Sequence, residues 1–363
     1  MPQSTDALPL ALLGLVFDPV TLADAVSIVQ SAALNRTRLV FATPNVNFSA
    51  GAAQDPEFRK QVLECRLSLV DGMPLVWIGR LLGLEIPERV AGSSLFEALQ
   101  HSRHERPLRV FFFGGDPGVA QSASEALSGP GVTAAGYLDP GRGSIEDMSS
   151  DSIISEINAA NADFLCVALG AVKGHHWIAR NADRLNVPVI SHLGAVVNFV
   201  ARRISRAPMW MQRCGLEWAW RILREPKLVR RYAQDSLWLA GALLSQVLPG
   251  LLHRLEHRSS AAGFSWSIHG PTSGVKKLQL QGDLNHRALL DNPELRALVP
   301  EQGTQVTIDV AELRHLDSTG VAWLLRFCYS SKDIASIRLS GLSNEASRCL
   351  LRFGAGFIIR EFA

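Results

Sequence analysis

The chain has 363 residues, 47% of them apolar, and a formal net charge of +2. That length allows two domains with full cores, and so even a charge balance excludes a partner chosen by overall charge alone. Five cysteines, Cys65, Cys166, Cys214, Cys328 and Cys349, are scattered without a CxxC pair, which favours reduced thiols and a cytoplasmic address over a disulfide framework.

The N-terminal run MPQSTDALPLALLGLVFDPV lacks a basic leader and reads as a first strand, not a signal peptide. From there to about residue 200, β-rich runs alternate with helical ones. Arg38–Ala42, Leu67–Val70, Val110–Phe113, Phe164–Leu169 and Val187–Ser191 are the predicted strands, and Pro56–Cys65, Gly118–Leu127 and Ile153–Ala159 are predicted helices. Strands apolar throughout and separated by helices predict an α/β fold, a Rossmann-like parallel sheet covered on both faces.

Such sheets bind ligands beyond the carboxyl ends of their strands. Thr43-Pro44-Asn45 follows the first strong strand; Asn45 can hold a sugar hydroxyl or base edge, or serve a plain turn. Asp71-Gly72 follows LSLV, where a carboxylate suits a general base or a helix cap. Gly114-Gly115-Asp116-Pro117 follows VFFF. Glycines ahead of a helix suit phosphate oxygens, Pro117 suits the first helical position, and Asp116 suits a cap. In GAVKGHHW, Lys173 suits a diphosphate. His175 and His176 are adjacent and not i, i+4, which argues against a metal pair; no metal ligands and no cofactor are predicted.

Between Arg202 and Arg231 nine Arg or Lys face only Glu217 and Glu225, interleaved with Trp210, Trp218 and Trp220. Arg213, Glu217, Arg221 and Arg224 fall on one helical stripe and Met211, Trp218, Ile222 and Leu223 opposite, within a helix bounded by Pro208 and Pro226. Cations among large aromatics predict a peripheral seat on an anionic membrane face, not a nucleic acid. Ser236–Leu252 is apolar but short of the roughly 20 residues of a span, and Gln246, Pro249 and Gly250 interrupt it, so it reads as an interfacial helix. His253–Gly263 is a polar linker. Beyond it Leu278–Leu280, Val306–Val310 and Ile337–Ser340 read as strands, with helices over Gly320–Tyr329 and Glu345–Phe353. The predicted division is 1–205, core; 206–255, basic aromatic appendage; 256–263, linker; 264–363, a second small α/β domain.

Several of these pieces, in order, resemble the WecG/TagA/CpsF glycosyltransferases (glycosyltransferase family 26) over roughly residues 10–235. They are TPN at Thr43–Asn45, LVDGMPLVW at Leu69–Trp77, RVAGS at Arg89–Ser93, FFFGGDPGVA, and above all RAPMWMQRCGLEWAWRILREPKLVRRY. The resemblance implies inverting transfer of a sugar from a UDP-sugar to a polyprenyl-diphosphate-linked acceptor on the inner face of the cell membrane, in exopolysaccharide or cell-surface polysaccharide synthesis. It makes Asp71 the base and Thr43 and Asn45 active-site residues. Gly114, Gly115 and Lys173 become donor contacts, and Arg206, Arg213, Arg221 and Arg224 ligands of lipid head groups or the acceptor diphosphate. It also implies that cutting the chain before Arg206 removes membrane association and transfer together while the core stays folded. The sequence departs from the family's GxPKQExW at Val172, Gly174 and His175, from an Asp at Ser94, and from an FD at Val197-Asn198. These changes imply either a different donor sugar or a degenerate transferase that acts as a regulatory binding protein.

The tail resembles a STAS domain through LDSTG at Leu316–Gly320 after VTIDV, and GDL at Gly282–Leu284. That likeness implies a protein partner or kinase, with Ser318 the phosphorylation candidate at a helix N-terminus.

Overall fold

The computed structural model describes residues 8–362 except 104, 204, 257–262, 271–274, 302 and 331–335, and leaves aside the side chains at 209, 213, 255 and 256. Leu10–Leu12 (β1) and Leu15–Phe17 (β2) pair antiparallel, so the N-terminal run makes two short strands and not one. Leu13 and Gly14 turn the chain with φ of 50° and 80°, the left-handed pair that matches strand twist in a two-residue hairpin.

Leu39–Ala42 (β3), Leu67–Ser68 (β4), Leu108–Gly114 (β5), Val132–Leu138 (β6), Phe164–Ala168 (β7) and Val189–His192 (β8) form one sheet of order β4-β3-β8-β7-β5-β6, parallel throughout. Period-two alternation along β5 sends Phe112 to one face with Phe41, Phe96 and Phe164, and Phe111 and Phe113 to the other with Leu165, Val167, Trp177 and Ile190. Both faces are therefore dry cores, as the continuous apolar strands require. All five predicted strands are present. The sixth, β6, is an edge strand of sequence VTAAGYL whose residues are mostly part-exposed, so it lacks the apolar run that announces the others.

One polar node ties the strands at their amino ends. Asp163, 1% exposed, receives both Arg106 terminal nitrogens at 2.5 and 2.9 Å and the Arg109 N–H at 2.9 Å. Its backbone continues the ladder, donating to the Arg109 carbonyl and accepting from Val189.

By internal contacts the chain divides into two units, Val20–Val76 with Pro87–Asp235, and Met1–Pro19 with Trp77–Ile86 and Ser236–Ala363. The second carries Ser265–His269 (β9), Val275–Leu284 (β10), Gln305–Leu316 (β11) and Ile337–Ser340 (β12) in the order β12-β11-β10-β9. Only the β9–β10 pair is antiparallel. The buried helix Ser318–Tyr329 packs on the β1–β2 ribbon. Ser318 Oγ donates to the Ala11 carbonyl at 2.8 Å, and Arg326 pairs with Asp18 at 2.7 Å. Ser318 does start its helix, but its hydroxyl is 3% exposed and engaged, so an enzyme reaching it must first displace the ribbon.

Pro226–Arg254 is helical for 29 residues, long and apolar enough to cross a membrane, with 11% of its apolar window buried. It is longer than the apolar run Ser236–Leu252 because the helix already starts at Pro226, and Pro249 and Gly250 do not break it. A π turn at Leu243–Val247 sits just before Pro249, where the ring removes one backbone donor and crowds the preceding turn. Asp163→Ala should cost about 2 kcal/mol in urea unfolding, since it leaves the Arg109 N–H without its acceptor and removes charge-assisted bonds from Arg106; a change under about 0.5 kcal/mol would show that the node carries no stability.

Candidate functional site

After β4 the chain stays extended along its neighbours. Leu69 N–H donates to Ala42, Asp71 N–H to Pro44 at 3.0 Å, and Val90 N–H to Val70 at 2.8 Å. Thr43-Pro44-Asn45 and Asp71-Gly72 therefore lie side by side at the carboxyl edge of the sheet. Asn45 caps the helix Val46–Gln54, accepting from the Phe48 N–H, so one side of its amide is structural. Gly72 has φ of 141°, and a Cβ there would stand 3.7 Å from that of Asn45.

The helix Gly92–His101 begins opposite this edge with no side-chain cap of its own. Instead the Gly92 N–H hydrogen-bonds the Asp71 carboxylate. Gly92 has no room for a side chain: a Cβ would come within 2.5 Å of Leu193 and 3.3 Å of buried Thr43.

Burial pushes the Asp71 carboxyl up to about 6; Arg89 opposes the rise, Glu217 adds to it, and the Gly92 N–H and Arg221 oppose it further. Arg89 and Glu217 are themselves paired at 3.0 Å, with side chains only 13% and 16% exposed. The result is a carboxyl that gains and loses its proton near neutrality, fitted for general-base work. In the sequence, Arg89 and Gly92 stood out only within the motif Arg89–Ser93, with no role for either, and Glu217 only as a helix-stripe residue. They lie too far apart along the chain for spacing to signal them.

The basic segment is not one helix. Met209–Arg213 ends at Cys214, Gly215 turns with φ of 72°, and Glu217–Arg224 begins afresh. Arg213 is thereby separated from the Glu217 stripe, and its side chain lies outside the described residues. Arg221 reaches the electrostatic field of Asp71 and stands 3.6 Å from Glu225. Arg224 stacks over Trp220 at 4.7 Å, while the Trp220 indole donates to the Ser205 carbonyl. Arg206 bonds Glu97, Ser94 at 3.1 Å and Gln212 at 2.9 Å. Its guanidinium straps the segment to the Gly92–His101 helix.

The other predicted contacts are not gathered at Asp71. Gly114 and Gly115 have φ of 86° and 104°, and a Cβ on Gly114 would also crowd Leu169 and the Ala168 carbonyl, so the backbone favours glycine there whether or not a ligand binds. The next helix starts at Val119 behind left-handed Gly118, so Pro117 is not its first residue and the Asp116 side chain does not cap it. Lys173 donates to the Gly143 carbonyl at 2.6 Å, and its charge helps hold the Asp147 carboxyl below its usual range, after hydrogen bonds from Ser144. Gly143 follows β6, the edge opposite β4. His175 is buried edge-on to Phe48 and Phe58; burial first, then His192 and His176, lower it to about 3, and burial lowers His192 to about 4. Both stay neutral. His176 lies at the half-exposed margin, 3.7 Å from Asp55.

Residues 10–251 match the family described as "Glycosyl transferase WecG/TagA/CpsF family". Proteins named N-acetylglucosaminyldiphosphoundecaprenol N-acetyl-beta-D-mannosaminyltransferase are among the relatives. The one from Bacillus spizizenii is 28% identical over 207 residues, 56% of this chain and 78% of the relative. That from Bacillus subtilis is 27% identical over 189 residues, 52% and 72% respectively. The Staphylococcus aureus protein is 23% identical over 235 residues, 63% and 89%.

A base works ionised, so kcat/KM should fall about tenfold per pH unit below the Asp71 value of about 6. Glu217→Gln removes a charge that raises it and releases Arg89, so the acid limb should move to lower pH, by about half a pH unit or more. Arg89→Gln should move it the other way. Limbs that stay in place in both variants would exclude Asp71 as the titrating group.

Proposed function

The chain belongs to the WecG/TagA/CpsF family of glycosyl transferases, and from that premise we propose inverting transfer of a sugar from a UDP-sugar to a sugar hydroxyl on a polyprenyl diphosphate. The setting proposed is the inner face of the cell membrane, in the synthesis of exopolysaccharide or another cell-surface polysaccharide. The relatives' names support an N-acetylglucosaminyl-diphosphate-polyprenol acceptor.

The observation that carries the reading is the Asp71 carboxyl, poised at about 6 at the carboxyl edge of the sheet. Ionised Asp71 takes the proton from the acceptor hydroxyl. That oxygen bonds to the anomeric carbon from the face opposite the nucleotide, and the bond to UDP breaks with its electron pair leaving on the diphosphate. One displacement inverts the centre and needs one base. Arg89 and Arg221 each have an acidic partner now, and a diphosphate oxygen entering the site would compete with those carboxylates for the guanidinium groups.

The membrane seat is supported by exposed apolar side chains in the basic segment, Trp210 at 60%, Trp218 at 48% and Leu223 at 74%. The long helix adds Leu237 and Leu244. The STAS-like likeness of the tail fits a small docking module for a protein partner, with Ser318 its candidate switch.

Two experiments test the reading. Asp71→Asn should lower kcat by about 10²- to 10⁴-fold against a panel of UDP-sugars while UDP still binds; wild-type turnover in the variant, or no donor consumed by the wild type, defeats the assignment. The same variant should be more stable by roughly 1–3 kcal/mol at pH 7. A carboxyl raised from 3.8 to about 6 costs nothing below the lower value, and the cost is full above the higher one.

Cutting before Arg206 is a poor test of the membrane seat, because it also strips Ser236–Ala363 from the ribbon and from Trp77–Ile86, which pack in the same unit. Trp218→Glu with Leu223→Glu should instead abolish co-sedimentation with anionic vesicles and lower transfer to a polyprenyl acceptor, leaving transfer to a short soluble acceptor intact. Vesicle binding that persists in this double variant rules the segment out as the anchor.

A further inference from the structure

The unit that carries the C-terminal sheet brings together donor groups that the transferase reading does not use. His253 comes from the helix Leu248–Glu256, His315 from the next-to-last position of β11, and Glu345 from the helix Asn344–Arg352. One ligand atom from each lies within 4.8 Å of the other two, and all three residues are half-buried. The two imidazoles stack with centroids 5.3 Å apart and planes at 28°. Cys349, one turn beyond Glu345, places its sulfur 3.6 Å from His315 Nδ1. We propose that His253, His315 and Glu345 form a binding site for a zinc-class divalent metal ion.

The chemistry favours that ion class. Two imidazole nitrogens with one carboxylate oxygen are a borderline donor set, suited to zinc and its neighbours and not to calcium or magnesium. Ligands of a tetrahedral zinc stand ~3.3 Å apart, given bonds of about 2.0–2.1 Å. Ligand atoms that all lie within 4.8 Å of one another are close enough together for one ion to reach all three after small side-chain adjustments. Three protein ligands leave a fourth position for water. The Cys349 thiol at Nδ1 orients the His315 ring as outer-shell partners of metal-bound imidazoles do.

Two cations compete for Glu345. Arg352 stands 3.5 Å from Oε1 and Arg348 3.6 Å from Oε2. Arg348 is 67% exposed and is the easier to release, so the metal would take Oε2 and leave Arg352 on Oε1. The bound ion would join three elements distant in sequence, and would fasten the Leu248–Glu256 helix to the end of β11.

The test uses the full-length protein, stripped with a chelator and titrated with Zn²⁺ and then Co²⁺, each alone. One equivalent per chain is expected, with a four-coordinate Co²⁺ spectrum and a rise in Tm on adding zinc. His253→Ala, His315→Ala and Glu345→Gln should each weaken zinc binding at least about tenfold and abolish the rise in Tm, with folding followed by circular dichroism. Cys349→Ser should bind within a few-fold of wild type. His253 lies on a helix, so its variant answers the question if His315→Ala fails to fold. No stoichiometric binding by the folded wild type, or full affinity in His253→Ala and Glu345→Gln, overturns the site.

Discussion

The candidate edge depends on keeping one half-buried carboxylate ionisable. Burial by itself would leave Asp71 protonated and useless as a base; unopposed Arg89 and Arg221 would leave it a weak one. The structure sets the balance with the Gly92 N–H and with Glu217, which holds Arg89 at 3.0 Å and raises Asp71 at the same time. The Gly92–His101 helix carries both halves of this arrangement. Its first residue donates to Asp71, and its next turn holds Arg206 through Ser94 and Glu97. Asp71 and the basic segment are thus both tied to one helix, and Glu217 and Arg221 of that segment act electrostatically on Asp71.

The departures in GAVKGHHW follow a second packing constraint. The helix Ala171–Asn181 buries Gly174, His175, Trp177, Ile178 and Asn181. Trp177 stacks on Phe113 at 4.3 Å and donates to the Met148 carbonyl. A Cβ at Gly174 would come 2.4 Å from the His192 ring, so a residue larger than glycine and the His192 side chain cannot occupy these places together. His175 fills a slot between two phenylalanines, where a carboxylate would be costly. Gly174 and His175 read as one neutral repacking, whereas Val172 is exposed and packs in neither slot.

Much of this was legible in the sequence, for physical reasons. The apolar runs within β3, β5, β7 and β8 are almost wholly buried, and Thr43-Pro44-Asn45 after β3 and Asp71 after β4 stood out because parallel sheets place chemistry just past their strands. Strand β6 was illegible because this part-exposed edge strand, VTAAGYL, is built of small residues and lacks a run of large apolar side chains. The break at Gly215 was hidden by a helical charge pattern that continues across it. The Arg89–Glu217 pair spans 128 positions, and no periodicity carries information over that distance. The present partner of Lys173 was hidden for a related reason: its ammonium donates to Gly143, which only the strand order brings near.

The interleaving of the chain alters what the tail can be. The family match covers residues 10–251, yet the β1–β2 ribbon inside that range packs on the helix Ser318–Tyr329, through a bond joining residues 307 positions apart. Gly14 donates to the Phe353 carbonyl, and a Cβ on Gly354 would lie 2.5 Å from the Gly14 nitrogen, so the two surfaces fit at backbone distance. A tail held in this way cannot be detached without uncovering buried Leu10, Ala11 and Leu12. A phosphate on Ser318 needs the hydroxyl released from Ala11 and space that the ribbon now fills. Modification at that residue and docking of the ribbon are therefore mutually exclusive states of the same contact.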